Sequence, residues 1–377
     1  MQIISGGTLS ILTRRIEIID YCRFLAAMMV LVYHYLFAGI ANGKVESIAH
    51  TSSIGFAKYG YLGVDFFFLI SGFVIAVSVQ GKTARQFAVG RALRLYPAFW
   101  AAVLLTSSFA FFWGGPQMSV TIPQIFANLT MVPEYFGHAP IDGVYWTLLA
   151  ELKFYALVFL LVLIGQAHRL DLYMALWAMG MAALTFLHPA LAEVPFLGNY
   201  YLLFAAGALV AAIGRSGWSI IRTLGLIAAY VAALKSELVR AADISSSWGS
   251  QLSPSVVLVL VTAFFCILLA VQCRHVANLS LPGAATVGAM TYPVYLIHAH
   301  IGYMMLDRFA TEANKWLVYL ILVTMVLAIA YVLHRTVEQY PRRQWRRLFD
   351  HTVGSGVELV NTVASRMVKQ VRASTKV

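Results

Sequence analysis

The sequence predicts an all-α integral membrane protein, with about ten transmembrane helices in one bundle, and three observations carry that prediction. Of the 377 residues, 60% are hydrophobic and only 11% are charged, with a mean hydropathy of +0.76; soluble domains carry about 25% charge. Apolar runs of about 20 residues recur from end to end, each long enough to cross a hydrocarbon core of about 30 Å. Strand-like alternation is scarce, and an open sheet would leave its edge groups unsatisfied in lipid, so helices follow.

Hydropathy places the spans at approximately 18–38, 60–79, 94–113, 144–164, 170–187, 199–214, 220–236, 255–272, 286–306 and 316–334. The first follows a basic start (Arg14, Arg15) but is interrupted by polar groups, so it is read as a retained span and not as a signal peptide. The second, GYLGVDFFFLISGFVIAVS, carries Asp65. The third begins in an arginine-rich return, KTARQFAVGRALRLYPAFW, and the fourth opens YWTLLAELKFY with Glu151. The sixth is short, and the fifth and sixth read as partly re-entrant in an alternative arrangement. The seventh and eighth complete the apolar series, and the ninth, GAMTYPVYLIHAHIGYMML, contains Pro293, which is expected to kink it and open a polar cavity. The tenth ends before VEQYPRR.

Lysine and arginine orient the bundle, because short loops rich in them stay cytoplasmic. With residues 1–17 inside, twenty of the 27 basic residues fall on the inner side, six fall outside and Lys153 lies in a span. Residues 18–340 then form the membrane domain and both termini are cytoplasmic, with 341–377 a basic tail. In that tail Val357, Val360, Val363, Met367 and Val371 recur at helical spacing beside Arg366, Lys369 and Arg372, which suits an amphipathic helix on the inner leaflet, a disordered tail or a docking helix. The asymmetry explains the formal charge of +11 without a nucleic-acid partner. Cys22, Cys266 and Cys273 have neither disulfide nor metal-ligand spacing, and no metal is expected.

Ionisable residues in a span are costly and normally face a cavity or a partner. Arg23 and His34 lie 11 residues apart in the first span, about 16 Å along a helix. Arg23 therefore marks one boundary and His34 the outer half. By the side from which each helix enters, Asp65 and Glu151 reach a similar depth to His34, which points to an outward-side polar site. A histidine beside a carboxylate can hold one tautomer and use its other nitrogen as a base. For His34 the readings are catalysis, an interhelical hydrogen bond or a proton relay. Asp65 suits capping or orienting a neighbour as well as chemistry, and Glu151 suits an ion pair with Lys153 or an arginine as well as chemistry. Arg91 and Arg94 share one helix face, which suits phosphate; lipid head groups and topology explain them equally. His298 reads as a substrate contact, an orienting group or an interhelical bond.

Taken together, IDYCRFLAAMMVLVYHY, GYLGVDFFFLISGFVI, GRALRLYPAFW, WTLLAELKFY and GAMTYPVYLIH occur in order across roughly residues 17–340, and the chain resembles the membrane acyltransferase-3 family. Departures are Phe24 in place of a glycine, Leu152 in place of a second glutamate, and a wider spacing of Glu338 and Pro341. The resemblance implies transfer of an acetyl or other short acyl group from acyl-CoA to a hydroxyl of an envelope or exported glycan, in a bacterial inner membrane. It implies His34 as the base with Asp65 and Glu151 in support, and Arg91, Arg94 and Arg23 as holders of the donor. His298, Tyr295, Trp146 and Tyr155 are then expected to contact or support substrate. Expected partners are a carbohydrate or lipid-linked glycan acceptor, membrane lipids and polysaccharide assembly proteins. A proton-coupled transporter is the alternative, since the same intramembrane acids and histidines would serve it.

Overall fold

The computed structural model describes residues 15–49, 55–188 and 200–362. Among these the regular elements are all helical. The principal ones are α1 (Glu17–Tyr33), α2 (Leu62–Ser78), α3 (Ala84–Trp113), α4 (Trp146–Leu163), α5 (Leu170–Leu187), α6 (Tyr200–Ser216), α7 (Ile220–Trp248), α8 (Pro254–Ala270), α9 (Ala284–Ile297), α10 (Ala299–Phe309), α11 (Lys315–Leu333) and α12 (Arg342–Phe349).

Every expected span coincides with helix, but among the described residues six helical stretches, not ten, are long and apolar enough to cross a membrane by length and composition. These run Glu17–Ala41, Ala57–Ser78, Ala84–Trp113, Gly143–Leu163, Ala167–Leu187 and Lys315–Gln339. The other four depart for identifiable reasons. α6 and α8 have 17 residues each, about 25 Å of rise. The ninth expected span is interrupted at His298 and so divides into α9 and α10. α7 runs 29 residues but carries Arg222, Lys235, Glu237, Arg240 and Asp243. Lys235, at the edge of the expected seventh span, and Arg240 beyond it are therefore both helical residues.

α6 is the axis of the core, with every residue from Tyr201 to Ile213 buried. It meets α2 with backbones nearly touching: a Cβ on Gly72 would stand 2.0 Å from the Phe204 carbonyl oxygen, and one on Gly207 only 1.9 Å from that of Leu69. In lipid, where tails are as apolar as leucine, such approach through small residues is a main source of helix association. One end of the bundle carries Arg15, Arg85 and Glu338, and the other carries Lys44, Gln117 and Asp307.

The tail folds back on the first end. Trp345, Phe349 and Val353 pack against Val89, Ala92, Tyr96 and Trp100 of α3, while Arg85 pairs with Asp350 and Glu358. The chain is helical to residue 362; Val363, Arg366, Met367, Lys369, Val371 and Arg372 of the expected amphipathic stretch lie outside the described residues, as does Arg14.

Candidate active site

Two polar centres lie one above the other along α9. At the first, α1 opens after Tyr33 into a wide π turn, His34–Ala38, a local distortion frequent at functional sites. Close packing brings this turn to α10: a Cβ on Gly39 would meet the Tyr303 ring at 2.6 Å, and one on Gly302 the Tyr35 ring at 2.1 Å. The α9–α10 break supplies the partner. His298 Nδ1 donates to the Tyr295 carbonyl at 2.8 Å, and the His300 backbone N–H leaves the helical ladder to donate to Asp142 Oδ2 at 2.8 Å. His298 is fully buried.

His298 Nε2 then faces His34 Nδ1 at 3.1 Å, and that nitrogen also stands 2.8 Å from the Val30 carbonyl. A carbonyl only accepts, so both histidines carry their proton on Nδ1. His298 Nε2 accepts from His34, which leaves His34 Nε2 with its lone pair. An imidazole held in this tautomer presents a base.

Around the pair, Tyr35 OH donates to the His298 carbonyl at 3.0 Å. Lys44 Nζ lies 2.8 Å from His300 Nε2, which also accepts from the Gly143 N–H at 3.3 Å. Burial pulls the Lys44 ammonium below the usual lysine range, with Asp142 opposing it. Asp142, fully buried, caps the turn into α4 through the Val144 N–H at 3.1 Å.

The second centre is a cavity of about 620 Å³ between α1, α2, α3, α4, α9 and α11, within the usual range for small-molecule sites. Along α9 its lining runs from Ala285 to Tyr295, about 15 Å of rise. Its mouth carries Arg15, Arg23, Arg91, Arg94, Arg335 and Arg342 against three carboxylates, Asp20, Glu151 and Glu338. Arg15 is held by Asp20 at 2.6 Å and Arg94 lies 3.9 Å from Glu338. Arg91 stacks over Tyr155 at 5.5 Å, and its buried Nε has no hydrogen-bond partner among the described residues. Glu151 accepts from Ser71 Oγ at 3.2 Å and from Tyr155 OH. At depth the lining turns aromatic and apolar, with Val64, Phe67, Phe68, Leu148 and Tyr295. A basic mouth with a buried unmatched donor above an apolar shaft fits a molecule with phosphates at one end and an uncharged arm at the other.

The expected common pocket of His34, Asp65 and Glu151 does not form. Glu151 belongs to the basic cavity with Arg23, Arg91, Arg94, Tyr155 and Tyr295, while His34 joins His298. Asp65 turns to α7: Arg240 Nη1 reaches its two oxygens at 3.2 and 3.3 Å and stands 3.1 Å from Glu237 Oε2. Trp146, more than a third exposed, lies tilted against Tyr200 with ring centroids 4.9 Å apart, and the Arg240 guanidinium lies over the Tyr200 ring at 4.5 Å. Trp146 is thus placed with the Arg240 group. Asp142, Lys44, His300 and Arg240 went unassigned in the sequence. Only Asp142 left a local signal there, the Asp-Gly turn that caps α4.

No solved structure matches the chain. A relative is the exopolysaccharide production protein ExoZ of Rhizobium meliloti (strain 1021), 28% identical over 209 residues, covering 48% of this chain and 63% of that protein. Another is an O-acetyl transferase of Shigella phage Sf6, 32% identical over 150 residues, covering 36% of this chain and 43% of that protein. The matches thus span less than two thirds of either relative's length. The family model described as "Acyltransferase domain" matches residues 16–335, which takes in the histidine pair and most of the cavity lining, and the chain belongs to that acyltransferase-3 family of multispanning membrane proteins.

Proposed function

We propose that this chain is a membrane O-acyltransferase moving an acetyl or other short acyl group from acyl-CoA to a hydroxyl of an envelope or exported glycan. One observation carries the reading: an arginine-mouthed, aromatic-floored cavity ends at a tyrosine ring beside His298, the histidine whose Nε2 accepts from His34 and leaves His34 Nε2 as the base. Arg91, Arg94 and Arg23 would hold donor phosphates, and the bound donor would supply the activated thioester. The acceptor hydroxyl loses its proton to His34 Nε2. In balance, a C–O bond forms, the thioester C–S bond breaks, and the proton held at His34 leaves with the thiol.

The excess of lysine and arginine on one side favours placing the Arg91 end in the cytoplasm of a bacterial cell, where acyl-CoA is made. The glycan, free or lipid-linked, is then met from the Lys44 and Asp307 end, where polysaccharide assembly proteins would deliver it. The names of the two relatives favour acetyl as the donor group and an exported polysaccharide as the acceptor.

The test uses the full chain in native membrane vesicles given acetyl-CoA labelled in the acetyl group. Label covalently bound in glycan, with stoichiometric free thiol, is expected. A proton-coupled transporter would instead move solute under a pH gradient and leave the glycan unlabelled.

A further inference from the structure

The cavity and the histidine pair are separated by a single side chain. Tyr295 lines the cavity floor and is 7% exposed. Its ring stands 5.6 Å from the His298 ring, and its other neighbour, Phe67, meets it edge-on at 5.6 Å. The hydroxyl is pinned 2.8 Å from Thr147 Oγ1 and 3.3 Å from the Val144 carbonyl, and Thr147 itself donates to that carbonyl at 2.9 Å. The ring is thus held from both ends: by its own backbone, whose carbonyl accepts the His298 Nδ1–H hydrogen bond, and by the α4 turn. A ring fixed in this way cannot swing aside without breaking bonds in a buried setting.

We infer that Tyr295, backed by Phe67 and Thr147, sets the length of acyl chain the protein accepts. The inference rests on the acyl-CoA reading above. For the acyl carbon to come within reach of the histidines, the donor arm must extend along the shaft to its floor. The tail of the acyl group then occupies what room remains beside the Tyr295 ring. The floor is closed by aromatic carbon, so each methylene beyond the available room must displace a pinned side chain. A packed apolar pocket discriminates by about 10–200-fold per methylene, and a two-carbon acyl group asks least of this floor.

The experiment gives native membrane vesicles holding the full chain acetyl-, butyryl- or hexanoyl-CoA, each labelled in the acyl group, and reads the ratio of hexanoyl to acetyl incorporated into glycan. Wild-type protein is expected to favour acetyl. Tyr295→Ala should raise the hexanoyl-to-acetyl ratio at least about tenfold, while Tyr295→Phe, which keeps the ring, retains the wild-type ratio whatever its rate. Phe67→Ala widens the same floor without touching the Thr147 bond and decides the question if Tyr295→Ala does not accumulate. Active alanine variants with the wild-type ratio would overturn the inference while leaving the acyltransferase reading intact. Failure of the wild-type chain to transfer any of the three groups would overturn that reading and the inference with it.

Discussion

His298 Nε2 lies 3.1 Å from His34 Nδ1, with each ring tied through Nδ1 to a backbone carbonyl of its own helix. The pair is asymmetric in consequence: His298 has both nitrogens engaged, and among the described residues His34 Nε2 has no partner. His298 is therefore a positioning residue. His298→Ala should lower the acylation rate about 10–100-fold, with little change in donor KM. Because the two rings act as a unit, the His34→Ala/His298→Ala double variant should be no worse than His34→Ala alone. Additive losses would show that they act separately.

Arg91→Ala and Arg94→Ala should weaken donor binding, each by about tenfold or more, since a charge-assisted contact contributes about 1.5–3 kcal/mol. Competition of acetyl-CoA against labelled coenzyme A on the purified chain measures this. Arg91→Lys should recover only part of the loss, because an ammonium lacks the planar fork. Unchanged affinity in both alanine variants would remove the phosphate assignment.

Arg240 is the cation beside two buried carboxylates, Asp65 and Glu237, at 2% and 3% exposure. Arg240→Ala should destabilise the bundle by about 3 kcal/mol, the cost of stranding buried charge. Asp65→Asn combined with Arg240→Gln should be milder than Arg240→Ala. Thermal unfolding in detergent separates these outcomes, and equal midpoints for Arg240→Ala and the wild type would contradict the ion-pair account.

At the α2–α6 crossing, Gly72→Leu and Gly207→Leu place carbon inside van der Waals contact of the facing backbone. Neither helix can yield without losing its ladder, so both variants should fail to accumulate as folded protein. Gly90→Ala, at a position with open space around its Cβ direction, is the control and should fold normally.

Helix positions were legible because hydropathy is local: each predicted span coincides with a helix. What local pattern did not carry was length in three dimensions. α7 continues well beyond its apolar part because Arg240 finds Asp65, 175 residues earlier, and hydropathy ends a span where charge begins. Arg91 and Arg94 were legible as a pair on one helix face, because three-residue spacing is local, but their meeting with Glu151 and Tyr155 was not. Depth reckoned from the side of entry placed Glu151 outward with His34 and Asp65, yet depth does not fix the direction a side chain faces. The break at His298, made by Asp142 drawing off the His300 N–H, turns His298 toward His34 instead. Such a contact, 264 residues apart in the chain, has no one-dimensional trace.

Acyl transfer as described depends above all on His34 Nε2 acting as the base. Inverted native membrane vesicles carrying wild-type protein or His34→Ala at equal abundance, given acetyl-CoA labelled in the acetyl group, put this step to the test. Glycan acetylation is expected to fall at least about a hundredfold in His34→Ala, with donor binding retained. Acetylation at the wild-type rate in His34→Ala would contradict the assignment of the base.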